Sequence, residues 1–311
     1  MSLSDFISIR DLSVEQIELL LDLACHVKAD PAAYAGARWH RKPFILWASV
    51  WAEPRSLVHA AALPVTRHIY RHADAVLAYG DHVRRFVGRI RGREDDVFVA
   101  PQAVKPAVFA RHVNGDEVDS LRERHGLGDG PLVIYVGRLV AEKGVGVLLD
   151  AWPLVSARAT LVLVGDGPLG ARVRSTPGAR FLGPLPRQEL AVAYAASQCA
   201  VLASIPTPRF REPWGLVCNE AMHQGRPVIA SDSVGAVAGG LVRDRDTGLV
   251  VPAGDASALA RAIDRLLADE SLRTRLGRAA RAAVAAYSYE AAVAAFERAL
   301  ATAIRPSPTG P

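Results

Sequence analysis

PLVIYVGRLVAEKGVGVLLDAW, residues 131–152, opens with an apolar run closed by Gly137, passes through a polar loop, and continues as an apolar-striped segment. A short apolar run, a glycine turn and then a helical period describe a strand feeding a helix. The step repeats downstream: TLVLVGDG (160–167), ARFLG (179–183), CAVLAS (199–204), RPVIASD (226–232) and GLVVPAG (248–254) are short apolar runs separated by helical patterns. Six such strands predict a parallel α/β sheet with crossover helices. Beyond it, Ala258–Leu267 and Arg273–Ala286 are Ala- and Leu-rich with a 3.6-residue stripe, and Tyr289–Ile304 reads as a closing helix before the flexible-looking PSPTGP.

Working outward toward the N-terminus, FILWASVW (44–51), DAVLAYG (74–80) and DVFVAP (96–101) alternate with helical stretches such as HVRRFVGRIRG (82–92). About three strands fit before residue 110, where a complete doubly wound domain takes five or six, so this first sheet is expected to be truncated on its N-terminal side. Its exposed edge predicts aggregation or dimerisation. The run ARHVNGDEVDSLRERHGLGDGP (110–131) reads as a polar connector. Nearer the start, Ser13 with Gln16 makes a capping box, and Ile17, Leu20, Leu21, Ala24 and Val27 share one helical stripe. The expected domains are an N-terminal amphipathic helix (1–36), a truncated α/β domain (37–115), a complete α/β domain (116–288), and a C-terminal helix with tail (289–311).

Bulk composition agrees with two globular domains: 311 residues, 50% hydrophobic and 22% charged. No run of about 18 apolar residues and no secretory signal is readable, so a cytoplasmic protein is expected. Cys25, Cys199 and Cys218 form no CxxC pair, which excludes zinc and disulfide scaffolds. Lys and Arg outnumber Asp and Glu by 37 to 32, and only Lys28, Lys42, Lys105 and Lys143 are lysine. That excess fits nucleic acid, an anionic membrane surface or a phosphate-bearing substrate without choosing among them.

Three segments carry chemistry. In VGRLVAEKG, Gly137 and Arg138 close a strand and Glu142, Lys143 and Gly144 open a helix, where free N–H groups and the helix dipole attract anions. Surface charge around a helix cap fits the same residues. In RFREPWGLVCNEAMHQGRPVIASDSVG, Glu212 and Glu220 have seven residues between them, with Pro213, Trp214 and Gly215 holding the first part non-helical and a helix expected over 216–223. Two carboxylates beside an anion-binding turn suit a ligand with phosphates and many hydroxyls, as in a nucleotide sugar. Helix-start glutamates also complement the dipole in any protein. The Arg84, Arg85, Arg89, Arg91 and Arg93 cluster reads as a solvated face, with a peripheral patch against anionic membrane as the sharper alternative; without interleaved aromatics it speaks against nucleic acid. Two lookalikes are set aside: Gly165-x-Gly167-x-x-Gly170 has Pro168 inside its would-be phosphate loop, and Asp244-Arg-Asp246 reads as a turn.

From Phe44 onward the chain resembles the retaining glycosyltransferases of the GT-B fold, specifically glycosyltransferase family 4. The resemblance rests on GRLVAEKG, LVLVGDGPL, FLGPL, AVLAS, EPWGLVCNEAMHQGRPVIASD and DTGLVVPAGD, in family order from Gly137 to Asp255. It implies an α/β, GT-B-like fold: a complete C-terminal Rossmann-like donor domain and a partial N-terminal one. It implies that Arg138 and Lys143 bind the donor diphosphate beside Gly137, and that Glu212 touches donor-sugar hydroxyls. It further implies that Glu220 holds the ribose, that Trp214, Gly215 and Leu216 offer backbone N–H groups, and that Leu185 contacts the base. The implied reaction moves a sugar from a UDP- or GDP-linked donor to a glycan or lipid-linked acceptor, with no metal and no enzyme nucleophile. A catalytically inactive nucleotide-sugar-binding remnant is the alternative.

The departures lie in the first half. Trp51 stands where the family places a histidine, with His59 nearby; Gln102-Ala103-Val104-Lys105 replaces an Asn-Gly-Val-Asp loop; and the family's Pro-Glu is lost within Gly235–Gly240. Residues 6–36 resemble instead the opening of ornithine carbamoyltransferases, but WAEPRSLVH follows in place of their phosphate-gripping signature, so that activity has no site.

Overall fold

The computed structural model describes residues 31–53 and 57–304. The amphipathic helix read over 13–27, the carbamoyltransferase-like segment through residue 30, and the PSPTGP tail lie outside the described residues. The chain divides into two compact units, one comprising residues up to Pro101 together with those from Tyr289 onward, the other Gln102–Ser288.

The second unit is built on six strands: β4 (Leu132–Val136), β5 (Thr160–Val164), β6 (Ala179–Gly183), β7 (Cys199–Leu202), β8 (Val228–Ser231) and β9 (Gly248–Val251). Each coincides with one of the six apolar runs. They pair in the order β6-β5-β4-β7-β8-β9, every pair parallel. Winding starts at the centre and proceeds outward both ways, so the order reverses between β4 and β7. Val133, Tyr135, Leu161, Leu163, Val201 and Ile229 pack with Leu148, Ile263, Leu266 and Leu276 of the flanking helices into one core. Tyr135, Leu161 and Leu163 are fully buried, as strands covered on both faces require.

The stretch read as a polar connector is not a bare loop. Gly115–His125 is a helix started by a capping box, in which Asn114 Oδ1 accepts from Glu117 N at 2.9 Å and Glu117 Oε2 accepts from Asn114 N at 3.1 Å. Leu121, its sole buried residue, anchors it. One apolar contact in eleven residues leaves almost no periodic trace, which is why polarity masked the helix. Residues 102–115 belong to the second unit, whereas the reading of the chain placed that boundary after 115.

The first unit has the three parallel strands expected of it, β1 (Ile45–Ala48), β2 (Ala75–Ala78) and β3 (Val97–Val99). Side chains alternate across β2. Val76 and Ala78 join Ile69, Tyr70, Val83 and Val87 on one face, while Ala75 and Leu77 meet Ala292, Ala295 and Ala299 of helix Tyr289–Ala303 on the other. The C-terminal helix therefore completes this unit's core. Helix Pro31–Trp39 runs across the 36/37 junction, with Tyr34 edge-on to Phe44 at 5.2 Å and Arg38 paired to Asp74 at 3.0 Å.

The arginine stretch turns out to be heavily committed. Arg91 is wholly enclosed: its Nη2 donates to Ala73 O at 3.0 Å, its Nε to Asp96 Oδ1 at 3.0 Å, and further bonds reach Tyr70 O and Asp96 Oδ2. Arg93 adds a 2.9 Å pair to Asp96, Arg84 pairs with Glu94 at 3.2 Å, and Arg89 lies over the Phe86 ring. Arg91 is thus a structural residue within a cluster read as a solvated face.

Candidate functional site

Ligands of open parallel sheets bind outside the carboxyl ends of the strands where the order reverses, here the loops leaving β4 and β7. Those two loops are pressed together. Gly144 has φ +71°, and a Cβ there would stand 1.8 Å from Ala203 O, so a side chain is excluded on both counts. Ile205 N donates to Glu142 O at 3.0 Å and fixes the contact.

This contact brings Lys143 to Glu212. Nζ donates to Glu212 Oε2 at 2.6 Å, with side-chain exposures of 19% and 6%. The ammonium also lies 5.2 Å from the centre of the Phe210 ring. Ser204 Oγ donates to the same carboxylate oxygen at 2.9 Å, and Ser204 O accepts from Ser231 Oγ at 2.5 Å. Glu212 itself is held by its backbone, whose carbonyl accepts from Gly235 N at 3.1 Å. Arg138 is well exposed and sits 3.6 Å from Glu142. Gly137 uses its N–H within the sheet, donating to Val164 O at 3.0 Å.

Beside the pair, helix Leu216–His223 begins where the sequence places it. Gly215 caps it at φ +98°, where a Cβ would stand 2.5 Å from Leu202 Cδ2. Cys218 N returns to Gly215 O at 2.9 Å, and the N–H groups of Leu216 and Val217 precede this first donor of the helix. Leu216 is exposed. Trp214 is not: its indole is buried, donates to Asn219 Oδ1 at 2.8 Å and packs on Tyr287, so its ring serves the core.

Glu220 lies one turn into the helix and is held separately, accepting from Tyr194 Oη at 2.7 Å. Burial pushes its carboxyl above the usual range, while the Tyr194 hydrogen bond and the Arg187 charge hold it back. The buried Cys218 thiol links the two carboxylates electrostatically: burial raises it, Glu212 and Glu220 raise it further, and Lys143 opposes. Leu185 is half-buried in the turn between β6 and helix Arg187–Ala196, the helix that carries Arg187 and Tyr194.

Ser204, Phe210 and Tyr194 were not picked out by the sequence. Ser204 is the residue on which the run CAVLAS ends, and position after a strand next to the reversal was the available signal. Tyr194 had none. The lookalike motifs are accounted for: Gly165–Gly170 packs on the β4 loop, with Leu139 N donating to Asp166 O at 2.7 Å and Leu169 N to Leu139 O at 3.0 Å. Asp244–Thr247 is a turn in which Asp244 Oδ1 accepts from Val250 N at 3.0 Å. In the first unit, Trp51 packs edge-on to His82 at 5.3 Å; the side chain of His59 lies outside the described residues. Among the described residues, no three His, Cys, Asp or Glu side chains cluster to hold a metal ion, and no helix is long and apolar enough to cross a membrane.

Residues 130–269 match the family "Glycosyl transferases group 1". The chain is 36% identical over 242 residues to an alpha-D-kanosaminyltransferase of Streptomyces kanamyceticus, covering 73% of this chain and 60% of that protein. Among solved structures it is similar to HepE of Anabaena in complex with UDP, with TM-score 0.75 and 22% identity over 88% of this chain and 76% of that one. It is also similar to sucrose-phosphate synthase from Thermosynechococcus elongatus, with TM-score 0.70 and 26% identity over 86% and 70%. The chain thus spans about three-fifths of the kanosaminyltransferase's length.

Proposed function

Because residues 130–269 match the glycosyl transferases group 1 family and the chain has the GT-B fold, we propose that this protein is a retaining glycosyltransferase of the family 4 type. It takes a sugar from a UDP- or GDP-linked donor to a glycan or lipid-linked acceptor, in the cytoplasm, with a peripheral contact to anionic membrane. The observation that carries this reading is the Lys143–Glu212 pair at the β4/β7 reversal, beside the start of helix Leu216–His223.

Breaking the sugar–phosphate bond leaves negative charge on the departing nucleoside diphosphate. Arg138, Lys143 and the N–H groups at Leu216 and Val217 are fixed positive charge at that position, and such preorganised groups stabilise a leaving anion without a metal. An ammonium has three donors, and Glu212 takes one. A diphosphate oxygen engages the others or displaces the carboxylate, which then accepts from a donor-sugar hydroxyl. The acceptor hydroxyl attacks on the face the phosphate leaves, and the departing phosphate takes its proton. Ser204 keeps Glu212 oriented when Lys143 turns to phosphate.

The test is calorimetric titration with UDP and GDP, without added metal, on the wild type and on Lys143→Ala. Binding of one nucleotide at about micromolar Kd, weakened about a hundredfold in Lys143→Ala, supports the reading. Binding of neither overturns it. Slow donor hydrolysis lost in Glu212→Ala separates turnover from binding alone.

A further inference from the structure

Tyr194 performs none of the steps above, yet it is completely buried on helix Arg187–Ala196 with its hydroxyl given to Glu220 Oε2 at 2.7 Å. A buried phenol needs an acceptor. This one is supplied by a carboxylate on a neighbouring helix, 26 residues away in sequence. A carboxylate accepts several hydrogen bonds, and this contact occupies one oxygen and leaves Oε1 unengaged by any described group. The two oxygens are therefore made unequal by the fold.

We propose that Tyr194 is a positioning residue for ribose recognition: by holding Oε2 it aims Oε1 of Glu220 at the ribose hydroxyls, and so makes the site prefer a ribonucleotide to its 2′-deoxy counterpart. The proposal rests on the reading of Glu220 as the ribose ligand. The same contact opposes the effect of burial on the Glu220 carboxyl, so removing the phenol hydroxyl raises that carboxyl further and shifts its protonation to higher pH. Protonated, Glu220 loses half its acceptor capacity. The groups that act on it are Tyr194 and Arg187 from helix Arg187–Ala196 and the Cys218 thiol on its own helix. From helix Glu270–Val284, packed on the same helix, Arg281 acts on His223 instead. Strands β7 and β8 and helix Pro106–Phe109 bring it no charged side chain.

The experiment is calorimetric titration of UDP, GDP and their 2′-deoxy counterparts at about pH 6 and about pH 9, on the wild type, Tyr194→Phe, Glu220→Gln and the double variant. The wild type is expected to favour the ribonucleotide by about tenfold, the worth of one hydrogen bond to a charged group. Tyr194→Phe loses that preference at the lower pH and recovers it at the higher. Glu220→Gln, whose amide oxygen still accepts from Tyr194, keeps part of the preference with no pH dependence, and the double variant loses it throughout. A role confined to packing would lower the thermal midpoint of Tyr194→Phe and leave the preference and its pH profile as in the wild type, which overturns the proposal. Should Tyr194→Phe fail to fold, Glu220→Gln decides: an unchanged preference that still varies with pH refutes it. Wild-type binding without preference defeats this inference alone, whereas no nucleotide binding at all defeats the donor-site reading and this with it.

Discussion

Among the described residues each unit holds one well-enclosed ion pair, and the two differ in what is left unused. In the first unit Asp96 is gripped by Arg91 and Arg93, and Arg91 spends its remaining donors on the carbonyls of Tyr70 and Ala73. Four of its five N–H donors are taken, and Arg91 has no exposed surface. In the second unit Lys143 makes one bond to Glu212, keeps 19% of its side chain exposed, and stands next to a helix start with open N–H groups. A nearly saturated pair ties segments together; a pair with spare donors facing solvent is positioned to exchange partners. The two pairs are alike in burial and differ in unspent hydrogen-bonding capacity.

The comparison is most exposed to failure at Arg91. Arg91→Met strips a buried carboxylate of its main partner and two carbonyls of their donors, and should cost about 3–5 kcal/mol in denaturant unfolding while leaving nucleotide affinity intact. Lys143→Met should reverse that emphasis, weakening nucleotide binding about a hundredfold at a smaller cost of about 1–3 kcal/mol in stability, because Ser204 still serves Glu212 and solvent reaches the site. Comparable stability losses in the two variants would erase the distinction. Acid sharpens it further. Burial opposes the charge on Asp96, but Arg91 and Arg93 outweigh it and hold the carboxyl below the usual range. Its stabilising contribution is therefore present above the unfolded value of about 3.9 and is lost as pH falls through the lower folded one. Acid unfolding followed by circular dichroism should show that loss in the wild type and not in Asp96→Asn. The smallest effect belongs to Ser204→Ala, about 0.5–1.5 kcal/mol in stability, with donor hydrolysis falling while nucleotide affinity holds.

The nine strands among the described residues were legible, since each coincides with an apolar run ended by glycine, proline or a polar residue. Helix Leu216–His223 was legible because Pro213 and Gly215 exclude an earlier start. What the sequence hid depends on contacts between distant segments: Lys143 and Glu212 are 69 residues apart, and no local period marks one as the partner of the other. Tyr194 in a helix of alanines reads as core, which it is, and only the neighbouring helix gives its hydroxyl a use. Arg91 shows the converse. One arginine among five neighbours is enclosed because helix Asp81–Arg91 ends where the carbonyls of Tyr70 and Ala73 and the carboxylate of Asp96 converge.

Helix Tyr289–Ala303 carries Ala292, Ala295 and Ala299 back to the first unit's sheet after the whole second unit has intervened. During synthesis, Ala75 and Leu77 emerge from the ribosome some two hundred residues ahead of the alanines that cover them, at an elongation rate of about 5–20 residues per second. The second unit, contiguous in the chain, is complete first; the first stays uncovered for about ten seconds or longer. In the cell that interval is the one in which a holdase has something to hold.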